Sequence, residues 1–198
     1  MITFEKHLPG VTLVTLTGPN YKAEEHRHAL DKSSGAIHFG AINHIMLDSV
    51  HDIDSWNKAM IYELPKYVHT SHALVIHHDG YVKNPYLWKD EWLRYDWCSS
   101  PWPLPADDYS YRSESGKIQR VGNSVSLRSK KLMELAATRP WKSYYGNTNE
   151  DGFICCHNRE WLEQQGCRFM PFEEALKFGK ETELPENEGL DTFMFHSL

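Results

Sequence analysis

The chain lacks the loops by which many proteins hold nucleotides. Neither Gly-x-Gly-x-x-Gly nor Gly-x-x-x-x-Gly-Lys-Ser/Thr occurs, which removes support for binding through a dinucleotide fingerprint or a P-loop. Gly-x-Ser-x-Gly, the elbow that presents a serine nucleophile, is missing too. The apolar stretches fall well short of the ~18 residues a membrane span needs. Residues 1–5 show no basic region leading into an apolar core, so no secretory signal is expected. Basic residues are in deficit, with 21 Lys and Arg against 27 Asp and Glu and a net charge of -6. That balance argues against a large nucleic-acid footprint. Cysteine is sparse, with 4 and no regular framework, which suggests a reducing, cytoplasmic setting. Cys155-Cys156-His157 with Cys167 does not have the pairing, roughly two to four residues apart, of structural zinc sites. Buried, inert thiols are the expectation there. No internal repeat or low-complexity segment stands out.

What is present is apolar residues at ordinary abundance, 40%, and aromatics in excess, 13%. A chain of 198 residues suits one domain burying roughly 70% of its unfolded surface. The β-branched run at 11–16 reads as a first strand, broken at Gly18-Pro19-Asn20. A polar helix is predicted over 21–32, and a second strand over 37–39 and 41–47. Ser55 is a candidate cap for a helix whose Trp56, Met60, Ile61 and Leu64 share a face. That helix stops near Pro65, and 73–76 forms the next strand. This β-α-β-α-β opening favours a parallel sheet flanked by helices. Residues 88–105, with four tryptophans and three prolines, read as an irregular aromatic loop. Further on, 121–127 is a short strand or turn, Ser129 caps a helix through 137, 147–152 is a polar loop, and 172–178 is a helix stopped by Gly179.

Candidate chemistry sits at the predicted strand ends. Ala73-Leu74-Val75-Ile76-His77-His78-Asp79-Gly80 is a buried run that ends in an acid. Ligand sites in open α/β sheets lie just outside such ends. Asp79 reads as a ligand for Mg²⁺ or Mn²⁺, or as the aspartate of an Asp-Gly turn. His77 and His78 point to opposite faces if the strand persists, one lining the site and the other packing in the core. Glu150-Asp151 is either a solvated pair or, standing before Phe153-Ile154-Cys155-Cys156, a source of general base. His196 lies among aromatics that prefer burial, which would dock the tail and bring its imidazole to a metal. Arg120, Arg128, Lys130 and Lys131 cluster around Asn123, facing a diphosphate or plain solvent. The aromatic loop is a stacking surface for sugars or bases, or a small satellite core.

Several of these segments together resemble a family. Leu74-Val75-Ile76-His77-His78-Asp79-Gly80-Tyr81-Val82-Lys83-Asn84-Pro85, then Trp88, Glu91-Trp92-Leu93-Arg94-Tyr95-Asp96 and Pro101-Trp102, are similar to uncharacterised glycosyltransferase-like proteins found in polysaccharide-biosynthesis contexts and in viruses. Val121-Gly122-Asn123-Ser124-Val125-Ser126-Leu127-Arg128-Ser129 matches that family's next motif, with Ser124-Val125 in place of a Gly-Gly pair. Glu150 to Cys155, Arg168-Phe169-Met170-Pro171 and Phe193-Met194-Phe195-His196 continue the likeness, which covers the chain from about residue 50 onward.

The resemblance implies an α/β, GT-A-like fold: a mostly parallel central sheet with helices on both faces and a smaller acceptor-side region. One domain would span 1–198, with a nucleotide-sugar half to about 105 and an acceptor and catalytic half beyond. Asp79 and His196 would hold Mn²⁺ or Mg²⁺, with His77 where the first acid of Asp-x-Asp would stand. Asp151 or Glu150 would act as base. Thr15, Thr17, Asn20, His78, Asn123 and Arg128 would meet the donor, a UDP-sugar by default. Trp97 and Trp102 would contact the acceptor, a glycan or small molecule. The implied activity is glycosyl transfer to a hydroxyl. The rivals are transfer to a modified base of viral DNA, and a non-catalytic nucleotide- or carbohydrate-binding protein of the same fold.

Overall fold

The structure is a computed structural model and describes residues 4–142 and 149–196. The opening is built as its β-branched and apolar runs dictate. Strand β1 (Lys6–Thr17) leads through helix α1 (Ala23–Ser34) to β2 (Ile37–Met46), which pairs with β1 in parallel. Helix α2 (Ile53–Tyr62) then carries the chain to β3 (His72–Val75), parallel to β1 on its other side. Helix α2 is capped by Asp52, not by Ser55. The Asp52 carboxylate accepts from the Ser55 N–H at 2.7 Å while the Ser55 hydroxyl answers the backbone N–H of Asp52 at 3.0 Å. The reciprocal pair satisfies two otherwise orphaned donors.

After β3 come β4 (Gly80–Val82), β5 (Trp97–Pro101), β6 (Val121–Ser129) and helix α3 (Lys130–Ala137), capped by Ser129 as expected. The main sheet runs β2-β1-β3-β6-β5, with β6 antiparallel to both neighbours, so four of its strands point one way. The sheet therefore draws on both sides of residue 105. Leu13, Leu74 and Ile76 face one core with Ala29 and Leu30 of α1. Val14, Leu16, Ala73 and Val75 face the other, with Ala59 and Met60 of α2. A strand buried on both faces favours apolar residues throughout, which explains the continuous run Ala73-Leu74-Val75-Ile76.

The stretch expected to be an irregular aromatic loop supplies an edge strand instead. Trp97, Cys98 and Ser99 pair with Arg128, Leu127 and Ser126, and Pro101 ends the strand, where a missing N–H is tolerated. Both tryptophans assigned to an acceptor are core residues here. Trp97 is fully buried, donates its indole N–H to Ser99 Oγ at 2.8 Å, and lies under the Arg128 guanidinium. Trp102 is buried over Gly122 and stacks on Tyr111 with ring centroids 4.7 Å apart. Neither presents a face to a ligand.

A helical turn α4 (Glu150–Gly152), a wide turn at Phe153–His157, and helices α5 (Arg159–Gln164) and α6 (Phe172–Phe178) follow. The polar loop expected from residue 147 begins outside the described residues. Strand β7 (Gly179–Lys180) and β8 (Met194–His196) join β4 in a second sheet of order β4-β8-β7. All four cysteines are buried and free. Burial pushes the Cys98 and Cys155 thiols well up, and those of Cys156 and Cys167 to about 12 and about 11, so none offers a thiolate. No described helix is long and apolar enough to cross a membrane.

Candidate functional site

The chain order reverses at β1. Its α1 connection leads to β2 on one side, while β3 flanks the other, so the crevice beyond their C-terminal ends is a topological switch point, the expected ligand position. A cavity of about 600 Å³ lies there, a size suited to a small ligand. Thr17 to Tyr21, the first turn of α2, His77 to Asp79 and His196 line it.

Strand β3 ends at Val75, and Ile76 still donates its N–H to Val14 O at 2.9 Å. The chain then turns tightly, with His77 N–H donating to Gly80 O at 2.8 Å and Gly80 N–H to His77 O at 3.3 Å. This turn overrides strand alternation, so His77 and His78 both line the cavity instead of facing opposite ways. Gly80 pairs with His196 across β4 and β8. A Cβ on Gly80 would lie 2.5 Å from Val125 Cγ2 and 2.8 Å from His196 Cδ2, so only glycine allows the tail histidine to approach.

His77, Asp79 and His196 each offer a ligand-type atom, all within 4.8 Å of one another. Asp79 Oδ1 lies 3.6 Å from His196 Nε2. Asp79 Oδ1 and His77 Nε2 are buried with no hydrogen-bond partner, a costly state unless a ligand completes it. Burial, followed by neighbouring His196, holds the His77 imidazole well below its usual range and therefore neutral, with a lone pair to give. Burial also acts to lower His196, but Glu181, Asp79 and Asp151 outweigh it and the net shift is upward. His196 Nδ1 is 3.1 Å from Glu181 Oε1, without the alignment of a hydrogen bond. A carboxylate behind a histidine is the arrangement that orients metal-binding imidazoles. The donor set therefore fits a divalent cation, and two imidazoles with one carboxylate suit Mn²⁺ better than Mg²⁺, which prefers oxygen.

The remaining residues divide by position. Thr17, Asn20, His78 and Glu150 line the cavity with Asp79 and His196. Thr15 is fully buried beneath it, its hydroxyl 2.7 Å from His26 Nδ1. Asn123 is buried, its side-chain oxygen accepting from the Val125 N–H at 2.9 Å. Arg128 is fully buried and ion-paired to Glu150 at 2.8 Å, while Arg120 reaches Glu186 at 3.3 Å and Lys131 the Gly166 carbonyl at 2.7 Å. The expected basic cluster around Asn123 is thus dispersed.

Glu150 is fastened by three groups. Besides Arg128, the Ser124 hydroxyl donates to its Oε2 at 3.0 Å, and its backbone N–H donates to Asn57 Oδ1 at 2.9 Å. Asp151 differs. Enclosure, then neighbouring Glu150, raises its carboxyl to about 7, against a backbone N–H from Gly152 at 2.7 Å. Asp151 is not among the residues that line the cavity; Glu150, which is, has its carboxylate committed to Arg128 and Ser124.

Residues 41–196 match the family described as "Protein of unknown function (DUF5672)". The chain belongs to this family. Among solved structures, this chain is similar to a glycosyltransferase involved in the glycosylation of the major capsid of PBCV-1, with 12% sequence identity and a TM-score of 0.57 over 93% of this chain and 92% of that one. That likeness shows the fold. The search of curated proteins finds no match. The fold is thus α/β with a mostly parallel central sheet, shared between this DUF5672 protein and a viral glycosyltransferase.

Three side chains of the cavity escaped sequence reading. His26 sits on the stripe of α1 buried with Ala29, Leu30 and Ser33, and a histidine on an otherwise small and apolar stripe is the available signal. Trp56 sends its indole N–H to Leu16 O at 2.8 Å and packs edge-on against His77, a contact no local pattern encodes. Tyr21 stands exposed at the rim, edge-on to His78.

Proposed function

We propose that this protein is a glycosyltransferase that moves a sugar from a nucleotide-sugar donor, a UDP-sugar by default, to the hydroxyl of a glycan or small-molecule acceptor. The observation that carries the reading is the convergence of His77, Asp79 and His196, two of them with orphaned buried ligand atoms, at the switch-point cavity of a fold shared with a glycosyltransferase. His77, Asp79 and His196 would hold Mn²⁺ or Mg²⁺, which when bound supplies positive charge against the donor diphosphate as it leaves. Thr17, Asn20 and His78 form the wall that the donor meets. Glu181 orients His196 from behind. Asp151 takes the proton of the acceptor hydroxyl, and its elevated pKa of about 7 makes it a competent acceptor of that proton. Arg128 and Ser124 hold Glu150 so that the turn carrying Asp151 stays in place.

The test is a thermal-shift screen of nucleotide sugars with and without Mn²⁺ on the wild type and Asp79→Asn. A donor at about 100 times its Kd should add ~2.7 kcal/mol of stability. That gain should need Mn²⁺ and vanish in Asp79→Asn, whose fold should persist. Normal sugar transfer by Asp79→Asn would sink the assignment.

A further inference from the structure

The cation site leaves unexplained the features of the cavity wall at residues 18–21 and His26, beside which Lys22 stands. Lys22 places its Nζ 2.6 Å from His78 Nε2, and among the described residues no carboxylate forms an ion pair with it. Lys22 is also the residue that starts α1, with left-handed backbone angles of φ 43 and ψ 41 and no side-chain cap. Asn20 is left-handed as well, at φ 62. A left-handed lysine costs on the order of 1–2 kcal/mol. Non-glycine residues held this way cluster where a ligand is bound. The start of a 12-residue helix with no side chain answering its first N–H groups favours negative charge.

His26, one turn into the same helix, points independently to a ligand. It is 4% exposed, yet it lines the cavity. Its Nδ1 is taken by Thr15 Oγ1 at 2.7 Å, and its Nε2 is buried without a partner. The nearby Thr17 hydroxyl is no substitute, because it is engaged by His44 Nε2 at 3.1 Å. In the tautomer in which Thr15 donates to Nδ1, Nε2 carries the proton and is the donor left without a partner. The acids of this turn, Glu24 and Glu25, are exposed, where solvent and salt screen their repulsion.

We propose that this wall is an anion subsite that takes a phosphate group, with Lys22 and His26 as its ligands, and that it binds phosphate without the divalent cation. The phosphate would replace neutral His78 as the partner of Lys22, exchanging a neutral acceptor for a charged one, a stronger bond. Under the nucleotide-sugar reading, on which this refinement rests for the identity of the ligand, the two linked phosphates of the donor would divide between Lys22 and the His77–Asp79–His196 cluster. His78 stands between the two sites: its Nδ1 is 3.5 Å from Asp79 Oδ1 and its Nε2 faces Lys22.

The experiment is isothermal titration of the full chain with inorganic pyrophosphate in excess EDTA, for wild type, Lys22→Met and His26→Gln. Lys22 is exposed, so its variant should fold, and circular dichroism checks His26→Gln. We expect binding to the wild type, about tenfold weaker binding to Lys22→Met, the loss of one charge-assisted contact, and weaker binding to folded His26→Gln. No binding to wild type in EDTA, or equal binding to Lys22→Met, overturns the subsite. Lys22-dependent pyrophosphate binding by a protein that neither binds nor turns over any nucleotide sugar would uphold the subsite and remove the glycosyltransferase reading. Sugar transfer with an unaltered KM in Lys22→Met would do the reverse.

Discussion

The Arg128–Glu150 pair offers the sharpest quantitative test of how the site is held. Both side chains are fully buried and their nearest atoms are 2.8 Å apart. Arg128 also donates to Ser126 Oγ at 2.8 Å and Ser124 O at 2.9 Å, and stacks on Trp97. Its Nη1 has no partner, so the guanidinium depends on Glu150 for its countercharge. Replacing Glu150 by Gln keeps the shape and strands a buried cation. Breaking such a pair costs about 3–5 kcal/mol, a large share of the ~5–15 kcal/mol that stabilises a typical protein. In a chain of this length each kcal/mol lowers Tm by about 2–4 °C, giving a drop of roughly 6–20 °C. Arg128→Met should cost a similar amount by stranding the carboxylate. The double variant removes both charges, and the methionine still covers Trp97, so its loss should fall short of the sum by about 2 kcal/mol or more. Urea unfolding of the four proteins at neutral pH measures this directly. A Glu150→Gln protein within 1 kcal/mol of wild type (about the cost of an ordinary hydrogen bond), or strict additivity in the double variant, would refute the buried-pair account.

Gly80→Ala should lower stability by about 1–3 kcal/mol through overpacking against Val125 and His196. It should also weaken Mn²⁺ binding, both read in one thermal titration. His26 is held neutral by burial and by the neighbouring His78 and His44, its pKa lowered from 6.5 to about 4. The unfolded chain takes up this proton below pH ~6.5 while the folded one refuses it until about 4, so stability is full above ~6.5 and declines as pH falls through that window, by at most about 3 kcal/mol. Urea midpoints between pH 7 and pH 4 should show the decline, and His26→Gln should make it shallower, the rest belonging to other buried histidines such as His77; an identical decline in the variant would exclude His26 as a source. Asp151→Asn should cut sugar transfer about 10²–10⁴-fold. Wild-type transfer should rise with pH through about 7 as Asp151 loses its proton, and the variant's pH–rate profile should lack that limb.

The β-α-β-α-β opening is legible because its signals are local: the β-branched run in β1, the turn at Gly18-Pro19-Asn20, and an apolar stripe on α2. The Ser129 cap and the helix at 172–178 were legible for the same reason. Strand β5 was hidden because Trp97-Cys98-Ser99-Ser100-Pro101 is buried throughout by pairing with β6 and by Phe169 and α6, none of them nearby in sequence. The roles of Trp97 and Trp102 were misread with it, since tryptophans in a loop and tryptophans in a core have the same composition. Asp79 and His196 were singled out by a strand end and an aromatic context, and the structure brings them together. In sequence His77 is one of two histidines of which one lines the site, and it stands where the first acid of Asp-x-Asp would; the tight turn brings its ring to the other two. The Glu150–Arg128 pair joins α4 to β6, and no spacing rule connects residues whose meeting depends on the sheet already existing.

The pairing of Gly80 with His196 has a consequence in time. Two ligand-type residues sit in the turn at 77–79 and the third in the last strand described, so the site is a contact of very long sequence separation. Such contacts pay their loop-closure entropy before they are rewarded and form late in folding. A growing chain can assemble β1, β2 and β3, and with them most of the cavity floor, while still unable to complete the ligand cluster. The His77–Asp79–His196 cluster is thus complete only once β8 has joined β4. A proteolytic cut between β7 and β8 would leave the main sheet standing and the cluster one imidazole short.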